Sequence, residues 1–433
     1  MRFLGIGDSC DLGELYLRLL KEDHEVKVFI ADEMAAGTLA GLVPRSPDWK
    51  DDLPWIREVG SSGIILFENV SGNRGVIQDN LRRDGFNVIG GSAFGDRIEN
   101  DRAYGQSLLR SLGLQTAGIF EFNSVSKGLA FIKRNPARYV LKFNGSELSS
   151  SDNYVGKNPG GHDVAAVLHS KKHLLEGREN GFVLMQHVDG IEMGVGAYFD
   201  GNSFVEPACL DWEHKRFFPG DLGELTGEMG TVATFDRSKK FFSRTLCLLT
   251  SVLRREGYCG YINLNTIVND NGIWPLEFTC RFGYPGYAVL TPLQKTQWSD
   301  LFASLIAGQG VLETRHGFSV GVVLTTPPFP YDRKVVKEAI GLPIFIDGGL
   351  TTREREQLHF GEVALENEML VTAGYSGWTM VVTGTGDTIQ QARSSALKLA
   401  DRIHTPNVRY RRDIGEKLIC GDWARLEELQ YLD

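Results

Sequence analysis

The first thirty residues alternate between two hydrophobic periods. "RFLGIG" is a short apolar run, "DLGELYLRLLKED" places apolar residues on one face at helical spacing, and "EVKVFI" returns to a strand. A strand, a Gly-containing turn, an amphipathic helix and a second strand make a βαβ unit, the start of a parallel sheet with helices on its faces. "GIILFEN" and "FNVIGG" continue as buried-type strands with the helical "GVIQDNLRRDG" between them. Residues 1–97 therefore read as one doubly wound, Rossmann-like layer.

A helical stretch, "NDRAYGQSLLRSLGLQTAG", leads into the strands "GIFEF" and "RYVLKFNG". The polar "GSELSSSDNYVGKNPGGHD" reads as a mobile loop, because strand patterns resume on both sides of it, at "YVLKF" and "GFVLMQHV". "MGVGAYFDG" and "SFVEPACLDW" look like antiparallel neighbours. The Gly-rich "FFPGDLGELTGEMG" follows, then a helix at "SKKFFSRTLCLLTSVLRREG". The strands "GYINLNTIV" and "GIWPLEFTCRF" are joined by the hairpin signal "NDNG". Beyond residue 313 the pattern is that of a smaller α+β unit, and "GDWARLEELQYLD" reads as a short terminal helix.

Composition narrows the function classes. A formal charge of -9 and a pI near 5.6, with no basic stripe, argue against a nucleic-acid partner. Six scattered cysteines without C-x-x-C spacing read as reduced thiols and offer neither a zinc site nor a disulfide framework. No run of about 18 apolar residues suggests a membrane span, and "MRFLGIGDSC" lacks the apolar core of a signal peptide. The expectation is a cytoplasmic protein, monomeric or homodimeric.

The chemistry concentrates in the hairpin. Glu277, Thr279 and Arg281 alternate on one strand, and Asn263 and Asn265 on its neighbour, so one face collects a carboxylate, neutral oxygens and a guanidinium. These are hard ligands of the kind Mg²⁺ accepts, with a cation beside them for phosphate oxygens. The bland alternative is a surface Glu–Arg pair. Lys142 ends an apolar strand just before the mobile loop, and "VLMQHVDGIEM" leaves a strand for a turn with Glu192 beyond it. That turn can present backbone groups to an adenine and a carboxylate to ribose hydroxyls; an ordinary strand end with an exposed Glu is the plain alternative.

This order of features resembles the ATP-grasp enzymes and, within them, the phosphoribosylamine–glycine ligase (glycinamide ribonucleotide synthetase) family. "DWEHKRFFPGDLGELTGEMGT" is similar to that family's D-H-K-R…T-G-G-M-G segment, "PLEFTCRFGYPG" to its L-E-F-N-x-R-F-G-D-P, and "YRRDIG" lies near the end of the match. The resemblance implies an α/β and α+β multidomain protein with an ATP-grasp fold. Its parts would be a Rossmann-like pre-grasp domain (1–97), an ATP-grasp region (98–312) with a small lid subdomain at about 115–185, a C-terminal α+β domain (313–415) and a helical tail (416–433).

The resemblance also implies roles. Arg102, Lys142, Gln186, Val188 and Glu192 would hold ATP. Glu277, with Thr279 or Asn265, would bind Mg²⁺ (or Mn²⁺). Arg281 would contact phosphate, and Asp211, His214, Lys215 and Arg216 would line the acceptor site. The implied reaction joins a small carboxylate to an amine through an acyl phosphate.

Departures from the family pattern cluster on the substrate side. The Gly-rich phosphate-holding turn becomes "GIGDSCDLGE", which sets Asp8 and Asp11 where a phosphate would sit, unless Asp8 or Ser9 merely caps the next helix. The segment after the third strand reads "FENVSG". Acidic residues are replaced by Tyr284 and Gly286, and Glu224 and Glu228 are added; the lid becomes "SELSSSDNYVGK", and Met185 occupies an acidic hinge position. These changes point to an altered acceptor, one without a phosphate. A genuine phosphoribosylamine–glycine ligase of purine biosynthesis and a non-catalytic ATP-binding protein are the alternatives.

Overall fold

The computed structural model describes residues 1–68, 74–143, 153–175, 181–331 and 336–433. Most of "SELSSSDNYVGK" and residues 69–72 of "FENVSG" lie outside them.

Four parallel strands open the chain: β1 (Arg2–Gly7), β2 (Glu25–Ile30), β3 (Gly63–Phe67) and β4 (Asn87–Ile89), in the order β2-β1-β3-β4. All five residues of β3, "GIILF", are buried, as expected of a parallel strand covered on both faces. The helix Gly13–Lys21 covers one face through Leu15, Tyr16 and Leu19, and Gly5 is required because a Cβ there would lie 2.4 Å from the Tyr16 ring. The strand order reverses at β1. The crevice between the ends of β1 and β3 is thus a topological switch point, where open α/β sheets bind ligands.

A second four-stranded sheet, ordered β5-β8-β6-β7, contains β5 (Ile119–Phe122), β6 (Tyr139–Phe143), β7 (Tyr154–Val155) and β8 (Phe182–Gln186). It has its own core, in which Val125 and Ile132 of one helix and Val164 and Leu168 of another pack on Leu141, Phe182 and Leu184.

The largest sheet has eight strands and every pairing in it is antiparallel. The middle part of the chain contributes β9 (Ile191–Asp200), β10 (Phe204–Glu213), then the small ribbon β11 (Arg216–Phe218) and β12 (Leu222–Leu225), then β13 (Gly230–Thr234), β14 (Cys259–Asn269) and β15 (Gly272–Thr279). The C-terminal part adds β16 (Phe318–Thr325), β17 (Phe345–Ile346), β18 (Leu358–Phe360), β19 (Val363–Glu366), β20 (Met369–Thr372), β21 (Trp378–Gly386) and β22 (Ile403–His404). Of these, β16, β21 and β18 extend the large sheet beyond β13, giving β15-β14-β9-β10-β13-β16-β21-β18.

Of the α+β unit expected after residue 313, β16 joins the large sheet through β13, while β17 with β22 and β19 with β20 form two small sheets of their own. β13 itself, "GTVAT", follows a Gly-rich segment that masked it, yet all five of its residues are buried mid-sheet. The long helix expected from "SKKFFSRTLCLLTSVLRREG" is broken into Lys239–Arg244, a 3-10 turn Leu246–Leu249 and Thr250–Arg255. The break is at Thr245, whose φ of -131° is non-helical and whose hydroxyl donates to the Phe241 carbonyl at 2.6 Å.

All six cysteines are unpaired. Among the described residues no helix is long and apolar enough to cross a membrane.

Candidate active site

The hairpin forms as its pattern suggested. β14 and β15 pair antiparallel across Asn269–Gly272, with Asn263 opposite Thr279 and Asn265 opposite Glu277. A register shift between Asn265 and Thr266 marks a bulge.

Glu277 is the hub. Arg102, at the start of the helix Arg102–Ser111, donates from Nη2 to Glu277 Oε2 at 3.0 Å. Lys142 Nζ reaches Oε2 at 3.5 Å from β6, and Lys215 Nζ reaches Oε1 at 3.6 Å from beyond the end of β10. Three cations from three parts of the chain thus meet one carboxylate. The Lys142 ammonium, then Lys215 and Arg102, hold its pKa far below the usual range against the effect of burial. The Lys142 pKa is lowered too, because burial depresses it more than the carboxylate restores it. Lys215 is also shared with Glu192 Oε1 at 2.9 Å and Glu213 Oε2 at 3.1 Å. Burial alone would lower its pKa, but these carboxylates raise it well above normal.

The cluster stands on the wall of a cavity of about 720 Å³. Gln186 and Val188, at the end of β8, form another part of that wall with Met185, and Glu192, Thr279 and Arg281 also line it. Arg281 is held separately, with Nε 3.3 Å from Glu99 Oε1, while Glu99 Oε2 accepts the Cys280 N–H at 2.7 Å. Glu277 and Arg281 therefore share the cavity without forming the surface pair that was the bland alternative.

Asp211, Glu213 and Lys215 alternate toward the cavity, and all three line it. Asp211 accepts from Asn263 Nδ2 at 2.6 Å, and its carboxyl is pushed up to about 7 by burial and then by Glu213. Gly194 is obligatory beneath it, since a Cβ there would lie 2.2 Å from Asp211 Oδ1. Glu228 is 5% exposed and lines the cavity, with Oε1 buried and unpartnered among the described residues.

Three expected residues fall elsewhere. His214 points away from the cavity by the same alternation that directs Glu213 and Lys215 into it. It is buried, accepts the Gly415 N–H on Nε2 at 3.0 Å, and burial followed by the Arg411 charge lowers its pKa to about 4. It pins the segment containing "YRRDIG" to the large sheet. Arg216 likewise leaves the cavity, donating to the Gly223 carbonyl at 2.8 Å. Asn265 is not on the cavity wall, and its amide donates to Glu192 Oε1 at 2.8 Å.

The first turn lies at the switch point. Leu12, not Asp8 or Ser9, occupies the N-cap of the following helix, and no side-chain cap bond is made there. Asp8 is ion-paired with Arg74. Ser9 Oγ donates to Asp11 Oδ1 at 2.7 Å, and the Asp11 N–H donates to Glu68 Oε2 at 2.8 Å. Glu68, 1% exposed, also accepts from Tyr16 Oη at 2.7 Å; burial and then Asp11 raise its pKa to about 8.

Glu213 was detectable by the period-two pattern of its strand, but Glu99 and Glu68 had no local signal. Their partners are 182 and 57 residues away in sequence, a separation only folding closes.

A Mg²⁺ ion fits the donor set in one form only. Glu277 and Thr279 offer one carboxylate and one hydroxyl on the cavity wall. Among the described residues no group of three or more His, Cys, Asp or Glu side chains could hold a metal ion. Such a sparse set suits an ion carried largely by phosphates and water.

Comparison with known proteins identifies the family. The family model for the phosphoribosylglycinamide synthetase ATP-grasp (A) domain matches residues 100–287, and that for the phosphoribosylglycinamide synthetase C domain matches residues 319–417. A phosphoribosylamine–glycine ligase of Haemophilus influenzae is 26% identical over 97% of this chain and 99% of its own length. One from Nostoc sp. is 28% identical over 83% and 85%. The crystal structure of the phosphoribosylamine–glycine ligase of Thermotoga maritima superposes with a TM-score of 0.73 at 22% identity, covering 96% of this chain and all of that one. A biotin carboxylase of Campylobacter jejuni gives a TM-score of 0.62 at 11% identity over 95% and 93%, a likeness of fold. With two models of one family spanning most of its length, the chain belongs to the phosphoribosylglycinamide synthetase family of ATP-grasp ligases.

Proposed function

We propose that this ATP-grasp carbon–nitrogen ligase joins a small carboxylate to an amine at the expense of Mg²⁺-ATP, through an acyl phosphate. The observation that carries this reading is the convergence of Arg102, Lys142 and Lys215 on Glu277 at the wall of a cavity bounded by Gln186 and Val188. Lys215 is shared with Glu192 and Glu213, but among the described residues Arg102 and Lys142 pair with Glu277 alone, so both can turn to an incoming anion. Polyphosphate oxygens would take the donors of Lys142, Arg102 and Arg281 by charge-assisted bonds.

Glu277 and Thr279 would hold the metal, which supplies neutralisation of phosphate charge when bound. Gln186–Val188 would meet the adenine and Glu192 the ribose hydroxyls. A carboxylate oxygen of the substrate attacks the γ-phosphorus and ADP leaves; the amine nitrogen then attacks the acyl carbon and phosphate leaves. The protein contributes orientation and fixed charge. Asp211 and Lys215 are the cavity residues of the acceptor segment.

We propose further that the acceptor is altered, because the first turn presents Asp8 and Asp11 where a phosphate would need N–H groups or cations. The other reading is that phosphoribosylamine and glycine are joined, as the relatives' names state for those proteins; the match to both family models favours it. ADP release with Mg²⁺-ATP decides between them. Turnover with glycine plus phosphoribosylamine supports the purine-pathway reading. Turnover only with phosphate-free amines supports the altered acceptor, and nucleotide binding without any substrate-dependent ADP release would mean a non-catalytic protein.

A further inference from the structure

Beside the main cavity lies a second one of about 290 Å³. The two share Asp11, Thr226, Tyr284 and Trp378 in their walls, so a molecule seated in the smaller space abuts the larger. The smaller space is bounded on one side by the first turn and on the other by the C-terminal part of the chain.

Its lining is aromatic and acidic. Tyr284 and Trp378 pack with ring centroids 4.6 Å apart, and Phe329 lies 5.8 Å from Trp378. Tyr284 Oη and Trp378 Nε1 are buried and have no hydrogen-bond partner among the described residues. No Lys, Arg or His is among the described lining residues. Glu362 is committed to structure: its carboxylate accepts the N–H groups of Tyr375, Ser376, Gly377 and Trp378, which sets the loop carrying Trp378. Asp11 accepts the Ser9 hydroxyl and faces both cavities.

A phosphate placed here would meet the Asp11 carboxylate, and the cation that acts on Asp11, Arg281, is already paired with Glu99, so its charge would be held at a cost that burial enlarges. A ring with an apolar face, several hydroxyls and a cationic nitrogen meets complementary groups instead. The aromatic faces take the C–H surface and attract the cation, the unpartnered Oη and Nε1 donate to hydroxyls, and Asp11 takes the ammonium.

Resting on the ligase reading above, we propose that the second cavity is the acceptor subsite and that it takes a phosphate-free, polyhydroxylated ring bearing a primary amine, of the amino-sugar class, its ring against Tyr284 and Trp378 and its nitrogen at Asp11. The ammonium gives one proton to the Asp11 carboxylate. The neutral nitrogen then attacks the acyl phosphate; the C–N bond forms, the C–O bond to phosphorus breaks, and the second nitrogen proton leaves with hydrogen phosphate.

Calorimetric titration of the full-length protein tests this with glucosamine, glucosamine 6-phosphate and, in parallel, Mg²⁺-ADP. Glucosamine is expected to bind at least about tenfold more tightly than its 6-phosphate, and Asp11→Asn to weaken glucosamine about fivefold or more while ADP binding is kept. Tyr284→Phe, which keeps the ring, should weaken glucosamine less than Tyr284→Ala. Equal or tighter binding of the 6-phosphate overturns the proposal. So does no glucosamine binding at about 10 mM, a concentration that would reveal even millimolar affinity, or an Asp11→Asn protein that binds it unchanged. Failure of Mg²⁺-ADP to bind would instead count against the ligase reading, whatever glucosamine does.

Discussion

Lys142 Nζ lies 3.5 Å from Glu277 Oε2, and this pair joins the four-stranded sheet that contains β6 to the eight-stranded one at the wall of the main cavity. Glu277 lies on β15 and Lys142 on β6, so any change in the spacing of the two sheets is felt at this contact.

Replacing Glu277 by Gln leaves Lys142, Arg102 and Lys215 without their shared counter-charge. Substrate-dependent ADP formation is expected to fall by about 10²-fold or more, with circular dichroism unchanged. Full activity in Glu277→Gln would rule out the metal-binding and charge-balancing role.

Arg281 depends on Glu99 for its position, and Glu99 also caps the Cys280 N–H. Glu99→Ala should therefore raise the KM for ATP, by roughly tenfold if it costs about 1.4 kcal/mol of phosphate binding, while kcat changes less. A kcat loss at constant KM would mean that Glu99 does not act through nucleotide binding.

Gly194 has no room for a methyl group, since its Cβ would sit 2.2 Å from Asp211 Oδ1. Gly194→Ala should displace Asp211 and break its bond from Asn263, costing roughly 1–3 kcal/mol of stability. Turnover should fall while Mg²⁺-ADP affinity, which the proposed site assigns to Lys142, Arg102 and Gln186–Val188, is kept. Thermal melting and nucleotide titration of the same preparation check both halves.

His214 predicts a pH effect on stability. Its native pKa, lowered to about 4, lies below its ordinary value of 6.5, so protonation favours the unfolded chain. The neutral ring's contribution is complete above pH 6.5 and is lost as pH falls toward 4, reaching about 3 kcal/mol below that. The cause is specific: Nε2 accepts the Gly415 N–H, and a protonated ring would set donor against donor. His214→Gln, which keeps an acceptor, should flatten the urea-unfolding free energy between pH 6.5 and 4 relative to wild type. Identical slopes would exclude His214 as the titrating group.

Much of the site was legible because it is local. The period-two pattern of "INLNTIV" and "PLEFTCR", joined by a two-residue turn, determines which side chains share a face, and the register found sets Asn265 opposite Glu277. The βαβ opening and the Lys142 strand end were readable for the same reason: strand and helix periods are properties of neighbouring residues.

What the sequence could not decide depended on contacts between distant segments. Alternation puts Asp211, Glu213 and Lys215 on one face and His214 on the other, but only the packing of Gly415 against the large sheet shows that the His214 face is the inside of the protein. The choice of Glu99 as the partner of Arg281, the burial of Glu68 beneath the first turn and the pairing of β16 with β13 likewise bring together residues tens to hundreds of positions apart. No local period encodes such separations. The sequence by itself determined the family and the hairpin with the side chains that share its face. The tertiary structure decided which charges meet, which carboxylates stay unpaired, and that an aromatic, acid-edged cavity opens beside the main one.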